Sequence, residues 1–234
     1  MKDAPLEAKY RNELKYVVSA AQIATLKSQV ASIMQPDVHA GADGKYCVRS
    51  LYFDDYDNRC YYENENGTDV REKFRIRTYD QSPAFIALEC KRKERGKTLK
   101  TAIQLTEGQA QQIMDGAPMG ELSDMEPLLR KMKLQMEMRL LRPKVIVEYD
   151  RVPFVYREGN VRVTFDLNVS SCNDCQRFWK KDLPKRPIMP PGMHLMEVKF
   201  DDFLPDFIYR SLNLGGLRQT TYSKYYLCRK HTLA

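Results

Sequence analysis

Residues 70–93 read VREKFRIRTYDQSPAFIALECKRK, and the spacing of charge in this stretch decides how the chain folds. Arg71, Lys73, Arg75 and Arg77 fall on alternate positions, and so do Glu89, Lys91 and Lys93. Side chains alternate between the two faces of a strand, so each set lies on one side of a sheet. Phe74 and Ile76, then Ile86, Leu88 and Cys90, take the opposite faces. The stretch therefore predicts two strands, joined by a turn at 80–83, with one apolar face and one charged face. Like charges brought side by side in a sheet destabilise it. An anion is expected between them.

Working outward, the same pattern recurs. Residues 10–18 predict a strand with Arg11, Glu13 and Lys15 on one parity and Leu14, Tyr16 and Val18 on the other. Residues 46–53 predict a strand carrying Arg49. Residues 98–105 predict another. Residues 144–156 and 161–169 predict a hairpin around Gly159-Asn160, with Arg162, Thr164 and Asp166 sharing a face. Residues 194–201 predict a strand with Leu195, Glu197, Lys199 and Asp201 on one parity. Helices are expected over 20–34 behind the cap Ser19, over 107–114 behind the cap Thr106, over 121–141, and over 205–214. In the third of these, Leu122, Met125, Leu128, Leu129, Met132, Met136 and Leu140 form the buried stripe, as core filler and not as a binding groove. Residues 57–67 read as polar and turn-like, and 170–192, with four prolines, as an irregular surface excursion. About eight strands with helices between or outside them predict a single α+β domain over 1–234, built on a large, mostly antiparallel sheet.

Composition sets the class of partner. The chain has 234 residues, is 43% hydrophobic and 29% charged, and carries a net charge of +7. It is a folded globular chain with an anionic partner, not a disordered one. No window approaches 18 apolar residues, and the opening Met-Lys-Asp-Ala-Pro-Leu-Glu lacks the apolar core of a leader, so the cytoplasm is the expected location. The six cysteines are scattered and expected to be reduced. Cys172-x-x-Cys175 has metal spacing, but no second pair accompanies it, so a polar loop with two incidental thiols is the expected reading. His39, His194 and His231 lie in no nucleophile motif.

Charged residues on one parity of most strands predict a concave or enclosed charged face, because the apolar faces must pack on the helices. Lysine and arginine bind phosphoryl oxygens through charge-assisted hydrogen bonds. Glutamate among them repels phosphate unless a divalent cation lies between, which is the arrangement of metal-assisted phosphoryl transfer. The face thus points to chemistry on a di- or triphosphate. RNA binding has no recognition motif behind it, and no nucleic-acid partner is expected.

Glu13-Leu-Lys15-Tyr16, Arg75-Ile-Arg77, Glu89-Cys-Lys91-Arg-Lys93, Tyr149-Asp-Arg151, Arg162-Val-Thr-Phe-Asp166, Glu197-Val-Lys199 and Ser223-Lys224-Tyr225, in this order along nearly the whole chain, resemble the VTC domain. This is the catalytic domain of vacuolar polyphosphate polymerase and its bacterial relatives, within the triphosphate tunnel metalloenzymes, or CYTH superfamily. The resemblance implies an antiparallel eight-stranded β-barrel tunnel with helices packed outside. It implies transfer of the γ-phosphate of ATP to a growing inorganic polyphosphate chain. Lys15, Arg49, Arg75, Arg77, Lys91, Arg151, Arg162 and Lys224 would bind phosphates, with Lys93 and Lys199 as further candidates. Lys15, Arg75, Arg77, Lys91 and Glu197 would carry catalysis. Glu197 would hold the divalent cation, Mn²⁺ in preference to Mg²⁺. Glu13 and Glu89 are either further metal ligands or salt-bridge partners of the lysines.

Two departures qualify the match. The superfamily opens on Glu-x-Glu-x-Lys, and Arg11 stands at the first position here. That favours the polymerase branch over the two-metal hydrolases. Arg151 and Glu148 have opposite parity, so only one faces the lumen; Arg151 is the expected one. The competing readings are a metal-dependent triphosphatase acting on inorganic triphosphate or a nucleotide, and a non-catalytic module binding polyphosphate or nucleotides. Polymerase relatives imply a membrane-protein partner, which here would be a separate chain.

Overall fold

The computed structural model describes residues 9–233. The reading of the N-terminus as leaderless concerns residues 1–7, which lie outside the described residues. The strands are β1 (Asn12–Ser19), β2 (Gln35–Pro36), β3 (Tyr46–Asp54), β4 (Arg71–Tyr79), β5 (Ser82–Glu94), β6 (Lys97–Leu105), β7 (Arg142–Tyr156), β8 (Val161–Cys172), β9 (Arg186–Pro187) and β10 (Met193–Phe200). The helices are α1 (Ala20–Ala31), α2 (Arg59–Glu65), α3 (Glu107–Asp115), α4 (Pro127–Met138), α5 (Asp206–Ser211) and α6 (Lys224–Leu233). Eight strands run in the order β1-β10-β8-β7-β3-β4-β5-β6, with every pair antiparallel. The two-residue strands β2 and β9 pair with β7 and β8.

The sheet curls until its edges meet. Arg11, just before β1, and Thr98 on β6 exchange two backbone hydrogen bonds of 2.9 Å. This is the antiparallel eight-stranded tunnel expected from the resemblance, with α3 and α4 packed outside one half and α1 and α5 outside the other. Leu51, Phe74, Ile76, Ile86 and Leu88 meet Ile113, Leu128, Met132 and Met136 in the first outer core. Val18, Val163, Phe165, Met196 and Val198 meet Ile23, Leu26, Val30 and Ile208 in the second. Capping boxes Ser19–Gln22 and Thr106–Gln109 start α1 and α3.

A third core lies on the concave side. Val48 and Tyr52 of β3, and Val145, Val147 and Tyr149 of β7, pack against Tyr61 of α2 and Tyr225 and Cys228 of α6. These strand residues have the parity of the lumen. The C-terminal helix is therefore a plug set against the inner surface of the barrel, which excludes water from one stretch of the lumen and leaves the charged stretch open.

Several expectations need correction. Residues 57–67 contain helix α2. Its orphan N–H groups are taken by side chains four to six residues upstream: Asp55 accepts from Arg59 (2.9 Å) and Asp54 from Cys60 (2.8 Å), while Asp54 also accepts from the Tyr225 hydroxyl. Helix α6 had no forecast at all. The helix expected over 121–141 is cut at both ends: α4 starts at Pro127, whose ring fits a first-turn position, and stops at Met138. Leu140 is exposed and Leu141 is the buried residue. Residues 170–192 are not a surface excursion throughout, since Phe178 and Leu183 are buried in the first outer core. Gly159 sits at φ +71, and an added Cβ would lie 2.9 Å from the Phe203 carbonyl oxygen, so glycine is required at that turn.

Arg49 is the largest correction among the charged residues. On β3 the lumen parity belongs to Tyr46, Val48, Ser50 and Tyr52, and Arg49 points outward. It is fully buried, bonded to Glu148 at 2.6 Å and to the Phe178 and Lys180 carbonyls at 2.7 and 2.6 Å. It anchors the 178–180 segment to the sheet. Replacing it with methionine strands the Glu148 carboxylate beside only the half-exposed Lys185. Arg49→Met is expected to lower stability by about 3 kcal/mol in urea denaturation. Affinity for tripolyphosphate, measured by calorimetry, should stay within about twofold, under 0.5 kcal/mol.

Among the described residues no helix is long and apolar enough to cross a membrane.

Candidate active site

The open part of the lumen is a cavity of about 290 Å³. Among the described residues ten cations line it, Lys15, Arg71, Lys73, Arg75, Arg77, Lys91, Lys93, Arg151, Lys199 and Lys224, against the carboxylates Glu13 and Glu197. Each strand contributes by parity. β1 brings Glu13 and Lys15; β4 brings Arg71 to Arg77 on alternate positions; β5 brings Lys91 and Lys93. Arg151 comes from β7, Glu197 and Lys199 from β10, and Lys224 from the first residue of α6.

Acids and bases on this wall are interleaved by strand register. Arg75 lies opposite Glu89, and the two bond at 2.7 Å. Glu89 is 2% exposed, does not line the cavity, and also meets Arg77 at 3.8 Å and Lys100 at 3.2 Å. It fixes the two arginines and is not the partner of Lys91. That partner is Glu13, at 2.6 Å. Tyr52 accepts from Arg75 at 2.8 Å; Ser50 and Tyr149 accept from Arg77 at 3.0 and 3.3 Å. Each guanidinium is held at its back while its remaining donors face the cavity.

The opposite wall is organised by Asp166 and Glu197. Asp166, fully buried, takes Arg151 in a two-pronged bond (2.7 and 2.8 Å) and Lys224 at 2.7 Å. Glu197 takes Lys224 at 2.7 Å and Lys199 at 2.9 Å, with Arg151 at 3.6 Å and Lys15 at 4.0 Å. Burial pushes these carboxyls up, but the surrounding cations outweigh it. Glu13, Glu89, Asp166 and Glu197 all end below the ordinary carboxylate range. All four are ionised at neutral pH.

Lys73 differs from its neighbours. Its ammonium donates to the Asn64 amide oxygen (3.0 Å) and the Ser223 hydroxyl (3.2 Å), sits 5.1 Å from the Tyr225 ring, and has no carboxylate partner among the described residues. Burial is the main cause that lowers its pKa to about 7, with Arg71, Lys15 and Lys91 adding repulsion and Cys60 opposing. Burial likewise brings Lys91 to about 7 despite Glu13, and lowers Lys93. A bound polyanion favours the charged form, so binding takes up protons between pH 7 and the ordinary lysine value of 10.5. Tripolyphosphate affinity is expected to fall as pH rises from 7 to 9. Calorimetry at pH 8 in buffers of different ionisation enthalpy should show proton uptake, smaller in Lys73→Met; equal uptake in both proteins refutes the role of Lys73. The effect on folding has its own sign. Below pH 7 the lysine is charged in both states and its burial penalty is felt in full. As pH rises from 7 to 10.5 the unfolded chain holds the extra proton, so stability increases.

The structure brings Lys15, Arg75, Arg77, Lys91, Lys93, Arg151, Lys199, Lys224, Glu13 and Glu197 into one cavity. It does not bring Arg49 there, nor Arg162. Arg162 has the lumen parity of β8 but bonds Asp37 and the Tyr46 hydroxyl away from the cavity lining. Arg151, not Glu148, is the lumen residue of its pair. Lys73 and Arg71 were absent from the expected site although their alternation with Arg75 placed them on its face. Tyr52, Tyr149 and Asp166 were also absent; parity would have put them there, but a tyrosine and a paired aspartate carry no phosphate signal of their own.

Among the described residues no three His, Cys, Asp or Glu side chains form a metal-holding group. A divalent cation shared with phosphate needs only one or two carboxylates. Glu13 and Glu197 fit that demand: they lie on adjacent strands facing one cavity, and Glu13 Oε1 is a buried acceptor with no hydrogen-bond partner among the described residues.

A family model described as VTC domain matches residues 10–232. No curated protein matches the chain. Among solved structures, an adenylyl cyclase candidate from Hippeastrum, reported with a dominant triphosphatase activity, superposes with a TM-score of 0.58 at 13% identity, over 95% of this chain and 96% of that one. A candidate adenylate cyclase from Bacillus halodurans gives 0.52 at 16% identity, over 93% and 96%. A protein from Pyrococcus horikoshii OT3 gives 0.50 at 12% identity, over 95% and 99%. At these identities the likeness is one of fold.

Proposed function

Because the chain belongs to the VTC domain family, with the triphosphate tunnel fold, we propose that it is an ATP-dependent polyphosphate polymerase, moving the γ-phosphate of ATP onto the end of an inorganic polyphosphate chain. The observation that carries this reading is the cavity: among the described residues ten cations face two carboxylates, enclosed by strands. At about 290 Å³ it lies at the lower end of small-ligand sites, a size for a run of phosphates with the nucleoside outside.

The roles follow from the contacts. Arg75 and Arg77, braced by Glu89, Tyr52 and Ser50, present donors to phosphate oxygens in a fixed orientation. Lys91, Lys15, Lys73 and Lys93 supply charge from the neighbouring strands. Lys224 and Arg151 face them across the cavity. Positioning an acceptor phosphate in line with the γ-phosphate and neutralising the oxygens is most of what phosphoryl transfer asks of a protein. Glu197 and Glu13 would hold a divalent cation, Mn²⁺ or Mg²⁺, which when bound neutralises charge on the phosphate oxygens.

The second reading is a triphosphate hydrolase, favoured by the dominant triphosphatase activity of the Hippeastrum neighbour. Hydrolysis benefits from a base to take the proton of water. The two carboxylates of the cavity, Glu13 and Glu197, and the buried Glu89 and Asp166 behind its walls are ion-paired and held below the ordinary range, which makes them poor bases. A phosphate terminus is already anionic and needs none. Incubation with ATP and Mn²⁺, followed by separation of products by size, tests the assignment. A ladder of long phosphate chains is expected. Free phosphate alone selects the hydrolase, and tight binding without turnover selects a binding module.

A further inference from the structure

Glu13 and Glu197 share an unusual division of their oxygens. Lys199 lies opposite Glu13, and Lys15 opposite Glu197, so the two carboxylates are diagonal neighbours on the same face of β1 and β10. One oxygen of each is taken by its own lysine: Glu13 Oε2 by Lys91 at 2.6 Å, Glu197 Oε1 by Lys224 at 2.7 Å. The other oxygens turn to a single ammonium. Lys199 Nζ is 2.9 Å from Glu197 Oε2 and 3.7 Å from Glu13 Oε1. The first of these oxygens also has Arg151 at 3.6 Å, but that guanidinium is already committed to Asp166. The second is buried and has no hydrogen bond among the described residues.

One positive charge thus stands between two carboxylate oxygens that a divalent cation would ligate. An ammonium on a four-carbon stem is a mobile point charge, unlike the braced guanidiniums around it. We propose that Lys199 is a displaceable place-holder: it occupies the cation position until metal and phosphate arrive together, and then swings from the two glutamates to the phosphate. This rests on the reading of the cavity as a metal-assisted phosphate site and adds the order of loading. Metal alone must displace an ion-paired ammonium that has no other anion to go to. Phosphate supplies that anion, so each ligand eases entry of the other, to an equal extent.

The test uses the full chain and two probes, Mn²⁺ alone and inorganic tripolyphosphate. Free Mn²⁺ is read by electron paramagnetic resonance for wild type, Lys199→Met and Lys199→Gln. The methionine keeps the stem and drops the charge, and glutamine keeps a polar tip, so either variant suffices if the other folds poorly. Without tripolyphosphate, Mn²⁺ should bind the variants about tenfold tighter than wild type, within the usual range of site-to-site coupling. Adding Glu13→Gln should remove the gain. Tripolyphosphate should raise Mn²⁺ affinity strongly in wild type and much less in the variants. Equal Mn²⁺ affinity in wild type and variants, with metal–tripolyphosphate coupling intact in wild type, overturns the place-holder. Absence of coupling in every protein overturns the metal-assisted reading as well.

Discussion

In Glu197→Gln, ATP turnover is expected to fall about 100- to 1000-fold, the loss typical of removing one preorganised charge from a transition-state site. Tripolyphosphate affinity is expected to hold or rise. The side chain keeps its shape, so the geometry of β10 is preserved. What changes is charge: Lys224 at 2.7 Å, Lys199 at 2.9 Å, Arg151 at 3.6 Å and Lys15 at 4.0 Å lose their shared anion. Those cations become more available to phosphate, while the carboxylate proposed to hold the divalent cation is gone. Turnover by product separation and binding by calorimetry give the two readings independently. Wild-type turnover in the variant would remove Glu197 from the reaction; a parallel collapse of binding and turnover would make its role that of fixing the lysines.

Asp166→Asn is expected to act on stability first. Asp166 is fully buried, paired to Arg151 through two bonds and to Lys224 through one. Neutralising it leaves two buried cations sharing Glu197 alone, and breaking such a pair costs about 3–5 kcal/mol. In a chain of this size that lowers the melting temperature by roughly 6 to 20 °C. Tripolyphosphate should recover much of the loss, because it binds the folded state and supplies the missing negative charge. A melting temperature within a degree of wild type would show that Arg151 and Lys224 have another partner. The sign with pH follows from the lowered pKa of this carboxyl. Its contribution is complete above the ordinary value of 3.8 and disappears as pH falls through the lower folded-state value.

The legible part of the site was whatever strand alternation could encode. Arg75, Arg77, Lys91, Lys93, Lys15, Glu197 and Lys199 all sit where their parity put them. Arg49 shows the limit of that rule. Parity says which residues of a strand share a face, but not which face turns inward, and on β3 the apolar pair Val48 and Tyr52 turns inward because α6 fills that part of the lumen. A lone arginine among apolar residues read as a phosphate ligand when it is the anchor of a distant loop through the Phe178 and Lys180 carbonyls. Glu89 was expected either as a metal ligand or as a salt-bridge partner of lysines; strand register sets it against Arg75, and the lysine it meets is Lys100 at 3.2 Å.

The C-terminal helix was illegible for a related reason. Tyr225, Tyr226, Leu227 and Cys228 form one consecutive apolar run, and the single i, i+3 pair Tyr225 and Cys228 within it is too short to mark a helical stripe. Tyr225 and Cys228 are buried because α6 lies inside the curl, against β7 and α2, and only the closed sheet creates that environment. Helix α2 is similar: its start depends on carboxylates of Asp54 and Asp55 that fold back from the end of β3.

Residues 70–93 determined by themselves that two strands would each carry a wall of charge on one side and core on the other. That follows from the two-residue period of a strand and holds in any fold containing it. The tertiary structure decided what those charges do. Curling the sheet brought Glu13 from the far edge to Lys91, set Asp166 behind Arg151 and Lys224, and left Lys73 with no carboxylate among the described residues. Pairing energies in a desolvated lumen depend on distances of a few ångströms between residues far apart in the chain, and those distances exist only once the edges of the sheet have met.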